Sequence, residues 1–161
     1  MMNTYFVQKP KMTLAGVSIR TTNEVEIGPD GGLSRLWETY FQSNIAGQMD
    51  TVKPEYIYAL YTDYESDASG AYTVVIGHEV AGERHLADSG IVSAAVPESK
   101  YMVFTTKKGP VFEVVSQAWG EIWTYFKGST EIRTYTGDFE IYDSRNFDPA
   151  NTQVEIYIAI E

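Results

Sequence analysis

Apolar residues in this chain recur with two different periods, and the switches between them divide it into elements. Residues 5–7 and 13–22 read as extended, with Ala15, Val17 and Ile19 on one parity and Leu14, Gly16 and Ser18 on the other; Pro10 interrupts them. Beyond the loop Gly28-Pro29-Asp30-Gly31-Gly32 the period changes, and Leu33, Leu36, Trp37, Tyr40, Phe41 and Ile45 recur three and four residues apart. That spacing predicts an amphipathic helix stopping near Gly47. Residues 55–61 return to period two with apolar side chains on both parities, as in a strand covered on both faces. Residues 71–80 form the returning strand, in which Gly77 marks a bulge or a close backbone approach. The acidic stretch 63–70 between them opens like a calcium loop. Its glycine is displaced and Val74 stands where the closing glutamate belongs, so a polar hairpin loop is expected.

Residues 81–89 are polar and aperiodic and read as a linker. After it come strands over 91–96 and 100–107, and then Gly109-Pro110 opens a second helix with an apolar stripe through Val111, Val114, Ala118, Trp119, Ile122 and Trp123. Strands over 138–143 and 152–160 close the chain. In the last of these Val154, Ile156, Ile158 and Ile160 share a face, which sends Glu155 and Tyr157 to the other.

The two halves therefore have the same order of strand, helix, strand, loop, strand. This predicts an α+β fold for a single domain spanning 1–161, built from duplicated βαββ halves at about 1–80 and 90–161. The halves should form antiparallel sheets with two main helices around a pseudo-twofold axis, with a central cleft at the seam. With residues 74–80 laid over 154–160, Val75 falls opposite Glu155 and Gly77 opposite Tyr157. A carboxylate on a lone strand ordinarily faces water. Standing where the first half is apolar, Glu155 and Tyr157 become candidates for a site on a near-symmetric scaffold.

Composition narrows the chemistry. The formal charge of -10 disfavours nucleic-acid phosphate as a direct partner and favours neutral or cationic ligands. An acidic surface of this kind also leaves a protein partner open. With no cysteine, disulfides and thiolate chemistry are excluded. No basic leader precedes an apolar run and no apolar segment is long enough to span a bilayer, so a cytoplasmic protein is expected. His78 and His85 lack further ligands at convincing spacing, and no phosphate-binding glycine loop or serine elbow is present, so neither metal nor cofactor is expected. The 12 tyrosines and 3 tryptophans supply flat apolar surface with polar tips, suited to cores and to pockets for planar molecules.

Residues 72–80 with Ile76-Gly77, the run Phe139-Glu140-Ile141-Tyr142-Asp143 and the closing strand Val154-Glu155-Ile156-Tyr157-Ile158-Ala159-Ile160 give the chain a resemblance to the GyrI-like, AraC-type effector-binding domain family, in its stand-alone form. The family usually has proline where this chain has Ala159. The resemblance implies an SHS2-type repeat and an aromatic-walled, multidrug-binding pocket between the halves, holding a buried glutamate at the position of Glu155. It also implies an amphipathic, aromatic or cationic small molecule as ligand, and a role as sensor, sequestering protein or regulatory module. Some relatives are hydrolases of strained cyclopropane-bearing compounds. The same reading here would use Glu155 and Tyr157 without a cofactor. Trp37, Tyr40, Tyr58, Trp119, Trp123 and Tyr142 are the aromatic candidates for the pocket wall, each with core packing as its ordinary alternative.

Overall fold

Hydrogen-bonded pairing joins all the strands into one antiparallel sheet in the order β1-β6-β8-β7-β3-β4-β2-β5. The computed structural model describes residues 3–27, 31–43, 55–66, 70–80, 91–144, 148 and 150–161. In chain order the elements are β1 (Asn3–Lys9), β2 (Met12–Thr22), α1 (Asn23–Ile27), α2 (Leu33–Ser43), β3 (Tyr56–Thr62) and β4 (Ala71–Val80), followed by β5 (Val92–Val96), β6 (Ser99–Thr105), α3 (Val111–Gly128), β7 (Asp138–Asp143) and β8 (Glu155–Ile160). Exchanging β1 with β5, β2 with β6, β3 with β7 and β4 with β8 turns the strand order into its own reverse. Each half thus contributes two strands, a main helix and two strands, one strand more than the repeat read from the sequence, and the first half adds the short α1. The expected linker 81–89 and the helix stop at Gly47 lie outside the described residues.

The expected cleft at the seam between the halves is corrected by the middle of this order. There β3 and β7 pair directly from Tyr56↔Asp143 to Tyr61↔Asp138, so the halves meet as a continuous ladder. A cleft cannot open between hydrogen-bonded strands without breaking that ladder, and the available space lies above the sheet, under the helices.

The sheet is strongly curled. β1 stands at one end of the order and β2 next to the other, yet only Pro10 and Lys11 separate them. Six strand spacings in a flat sheet would span about 29 Å, whereas three residue steps of extended chain reach about 11 Å. Pro97 and Glu98 impose the same closure from β5 to β6. Curling explains why both faces are buried. On one face the side chains of α2 and α3 pack with Ile76, Phe104, Ile156 and Ile158, whereas the other buries Leu14, Leu60, Val103 and Phe139 in a cluster supplied by strands and strand ends alone.

Each helix lies on the sheet for the reason its pattern predicts. α3 buries Val111, Val114, Ala118 and Ile122, residues three or four apart, and starts after Pro110, whose carbonyl accepts the Val114 amide at 3.0 Å. α2 buries Leu36 and Tyr40. No described helix is long and apolar enough to cross a membrane.

Candidate functional site

In β7 the alternation that buries Phe139 among the strand-only cluster turns Glu140 and Tyr142 toward the helices. Glu140 pairs with Ala59 across β3 and with Ile156 across β8. The short Ala59 side chain leaves room beside the carboxylate, which is 1% exposed. Its Oε2 accepts the Tyr61 hydroxyl at 2.9 Å and the Trp119 indole Nε1–H at 2.6 Å, and its Oε1 accepts the Tyr142 hydroxyl at 2.6 Å. Burial raises the Glu140 pKa, while the three hydrogen bonds from Tyr142, Trp119 and Tyr61 pull it back. Every donor is neutral, and among the described residues no cationic nitrogen lies within ion-pairing distance.

Above this carboxylate a cavity of about 680 Å³ opens between α2, α3 and the sheet. Its aromatic walls come from Trp37 of α2, Trp119 and Trp123 of α3, and Tyr61, Tyr72 and Tyr142 of the sheet. Trp37 meets Tyr142 edge-on at 5.0 Å, and Tyr61 meets Trp119 at 5.2 Å. Phe112, in the first turn of α3, lines the cavity while remaining 70% exposed, which places it where the cavity meets solvent.

A second polar group supports one wall. Arg133 Nη2 lies 2.7 Å from Asp138 Oδ2, and that oxygen also accepts the Tyr64 hydroxyl at 2.7 Å, while Oδ1 accepts the Ala159 amide at 2.8 Å. The Asp138 charge keeps Arg133 protonated against its burial, and the guanidinium stacks over Tyr135 at 4.4 Å. Arg133 lines the cavity, but its charge is cancelled at contact distance.

Of the residues expected at the pocket, Trp37, Trp119, Trp123 and Tyr142 line the cavity. The others lie elsewhere. Tyr40 is buried under α2 with its hydroxyl 2.5 Å from His78 Nε2. Tyr58 packs in the strand-only cluster, 5.7 Å from Phe139, and Tyr157 stacks on the same ring at 4.6 Å and 14°. Glu155 is only partly buried and accepts the Tyr5 hydroxyl at 2.6 Å. The buried glutamate is therefore Glu140, not Glu155, and the pair considered for hydrolysis, Glu155 with Tyr157, faces away from the cavity.

In β8, Ile156, Ile158 and Ile160 face the helices, as their alternation predicts. That same parity directs Glu155 to the face that no described helix covers. In β7 the phase is reversed. A sequence signal for this existed, because Glu140-x-Tyr142 repeats the Glu155-x-Tyr157 pattern one strand away. Glu26, Tyr61, Tyr64, Tyr72 and Arg133 also line the cavity and were not anticipated.

Comparison with known proteins gives a consistent picture. The model of the family described as Cass2, integron-associated effector binding protein, matches residues 6–160. YobU of Bacillus subtilis (strain 168), named as a candidate transcriptional regulator, is 35% identical over 148 residues, covering 91% of each chain. Among solved structures, the integron cassette protein VCH_CASS2 from the mobile metagenome of Vibrio cholerae superposes with a TM-score of 0.79 at 30% identity, over 98% of this chain and 95% of that one. SAV2435, solved with bound tetraphenylphosphonium, has the same fold at a TM-score of 0.76 and 19% identity, over 99% and 94% of the two chains.

Proposed function

Because the chain belongs to the Cass2 family of integron-associated effector-binding proteins, we propose that its effector is an amphipathic aromatic cation held in the cavity above Glu140. The carrying observation is that carboxylate: 1% exposed, bonded only to neutral donors, and open to a cavity walled by tryptophan and tyrosine. A buried charge without a counter-ion is costly, and a ligand cation supplies the missing partner. Three hydrogen bonds orient the carboxylate before a ligand arrives, so little ordering is required on binding. The ring faces add cation–π attraction and apolar area. The volume falls within the range that drug-sized ligands occupy.

Tetraphenylphosphonium, the cation bound by SAV2435, is a suitable probe because its charge is shielded by four phenyl rings and cannot donate a hydrogen bond. Calorimetric titration should show binding that Glu140→Gln weakens by about tenfold or more and that Glu155→Gln leaves within about twofold. Equal affinity in wild type and Glu140→Gln would refute the assignment. Binding of this kind serves a sensor or sequestering module, and the 35% identity to YobU supports a regulatory context. At a net charge of -10, that role is exerted through the effector or a protein partner and not by gripping DNA.

A further inference from the structure

The cavity wall holds a second carboxylate that a single ligand cation leaves unanswered. Glu26, in α1, is half-buried and lines the same cavity as Glu140. Its Oε2 accepts the Thr21 hydroxyl at 2.5 Å and the Gly32 amide at 3.1 Å, and its Oε1 accepts the Leu33 amide at 3.0 Å. As at Glu140, all three donors are neutral, and among the described residues no cation lies within ion-pairing distance. Arg133 does not change the balance, because Asp138 neutralises it. The cavity lining therefore carries two carboxylates without an ion-pair partner among the described residues, Glu140 held by side-chain donors and Glu26 by the amides at the start of α2.

The two carboxylates act on common ground. Tyr72, on β4, lines the cavity and donates to Asn23 Oδ1 at 2.7 Å. Burial first, and then the charges of both Glu26 and Glu140, push its phenol well up. Glu26 also occupies the N-terminus of α2 through the Gly32 and Leu33 amides. The amides at the start of α2 are consequently not available to an anionic ligand group, while the remaining lone pairs of Glu26 can accept from a donor.

From this arrangement we propose that the cavity selects aromatic dications, with one cationic group set against Glu140 and the other against Glu26. The proposal rests on the effector-binding reading above and adds the charge number of the ligand. It explains why a cavity with aromatic walls carries two acceptors and no free base among the described residues.

The test compares pentamidine, whose two benzamidinium ends are joined by a five-carbon chain, with the analogue in which one amidinium is replaced by a neutral carboxamide. The two differ by one charge at nearly constant size. In the wild-type protein pentamidine should bind about tenfold more tightly. In Glu26→Gln, which retains an acceptor for one of the two α2 amides, that ratio should fall to about twofold or less, whereas Glu140→Gln should weaken both probes. Equal affinities in the wild type overturn the proposal without recourse to any variant, and a tenfold ratio that survives Glu26→Gln overturns the role of Glu26. Tetraphenylphosphonium separates the two readings. If it binds in a Glu140-dependent manner while the pentamidine ratio is absent, only the dication proposal falls. If neither it nor pentamidine binds, both readings fall.

Discussion

Glu140 is a side chain held at some cost in stability, because burial disfavours its charged form. Its folded-state pKa lies above the ordinary 4.5 because burial outweighs three hydrogen bonds. The folded state therefore binds this proton more readily than the unfolded state does. Its contribution to stability is present at low pH and is lost as pH rises through the raised value. Glutamine at this position can accept from Tyr61 and Trp119 through its oxygen and donate to the Tyr142 hydroxyl, which rotates to accept. Glu140→Gln should thus be more stable than wild type at pH 8, with the difference closing below pH 4.5. Urea unfolding at the two pH values reads this directly, and cation affinity should decline in the wild type over the same acid range. The carboxylate itself was visible in the sequence, within Phe139-Glu140-Ile141-Tyr142. Its role was not visible, because Glu155-x-Tyr157 offers the same alternation.

At the scale of elements, the close approach predicted at Gly77 is real and involves two strands. Gly16 of β2 and Gly77 of β4 are direct partners. A Cβ built on Gly77 would lie 1.9 Å from the Ala15 carbonyl oxygen, and one on Gly16 2.2 Å from that of Ile76. Both obstacles are backbone, which cannot swing aside as a side chain would. Gly77→Ala should therefore destabilise by about 3 kcal/mol. Gly120, inside α3, has nothing within 4 Å of an added Cβ, so Gly120→Ala should stabilise by about 1 kcal/mol. The same chemical change is expected to have opposite signs at the two sites, and chemical denaturation of both variants checks it. The elements were largely readable beforehand. Periods of two and of three to four placed β2, β3, β4, α2 and α3 close to their observed positions, because those periods record burial on a pleated or helical surface. Burial on both faces of β8 was not readable, since a half-buried strand and a doubly buried one with a single carboxylate share the same string.

For the whole molecule, binding and folding are linked through the cavity, which exists only when α2 and α3 are packed on the sheet. A cation present at a hundred times its dissociation constant should stabilise the fold by about 2.7 kcal/mol. For a chain of 161 residues that corresponds to a rise in melting temperature of about 5–10 °C. Differential scanning fluorimetry with tetraphenylphosphonium measures it, and Glu140→Gln, with affinity weakened about tenfold, should lose about half of the shift. A wild-type protein that binds the cation yet gains no thermal stability would show that the site is not built by the folded helices.

The amino-acid sequence alone determined the α+β class, the two-part order, the helical stripes, the family resemblance and the negative net charge, because each follows from local period, composition or short motifs. Only the tertiary structure decided that the halves share one curled sheet, that helices cover one face of it, and that this face receives Glu140 and not Glu155. The physical reason is that β7 and β8 are adjacent antiparallel strands with opposite phase: Glu140 pairs with Ile156 on one face, and Ile141 pairs with Glu155 on the other. Alternation says that two residues point in opposite directions. Which direction holds the cavity depends on where the helices, distant in sequence, come to rest.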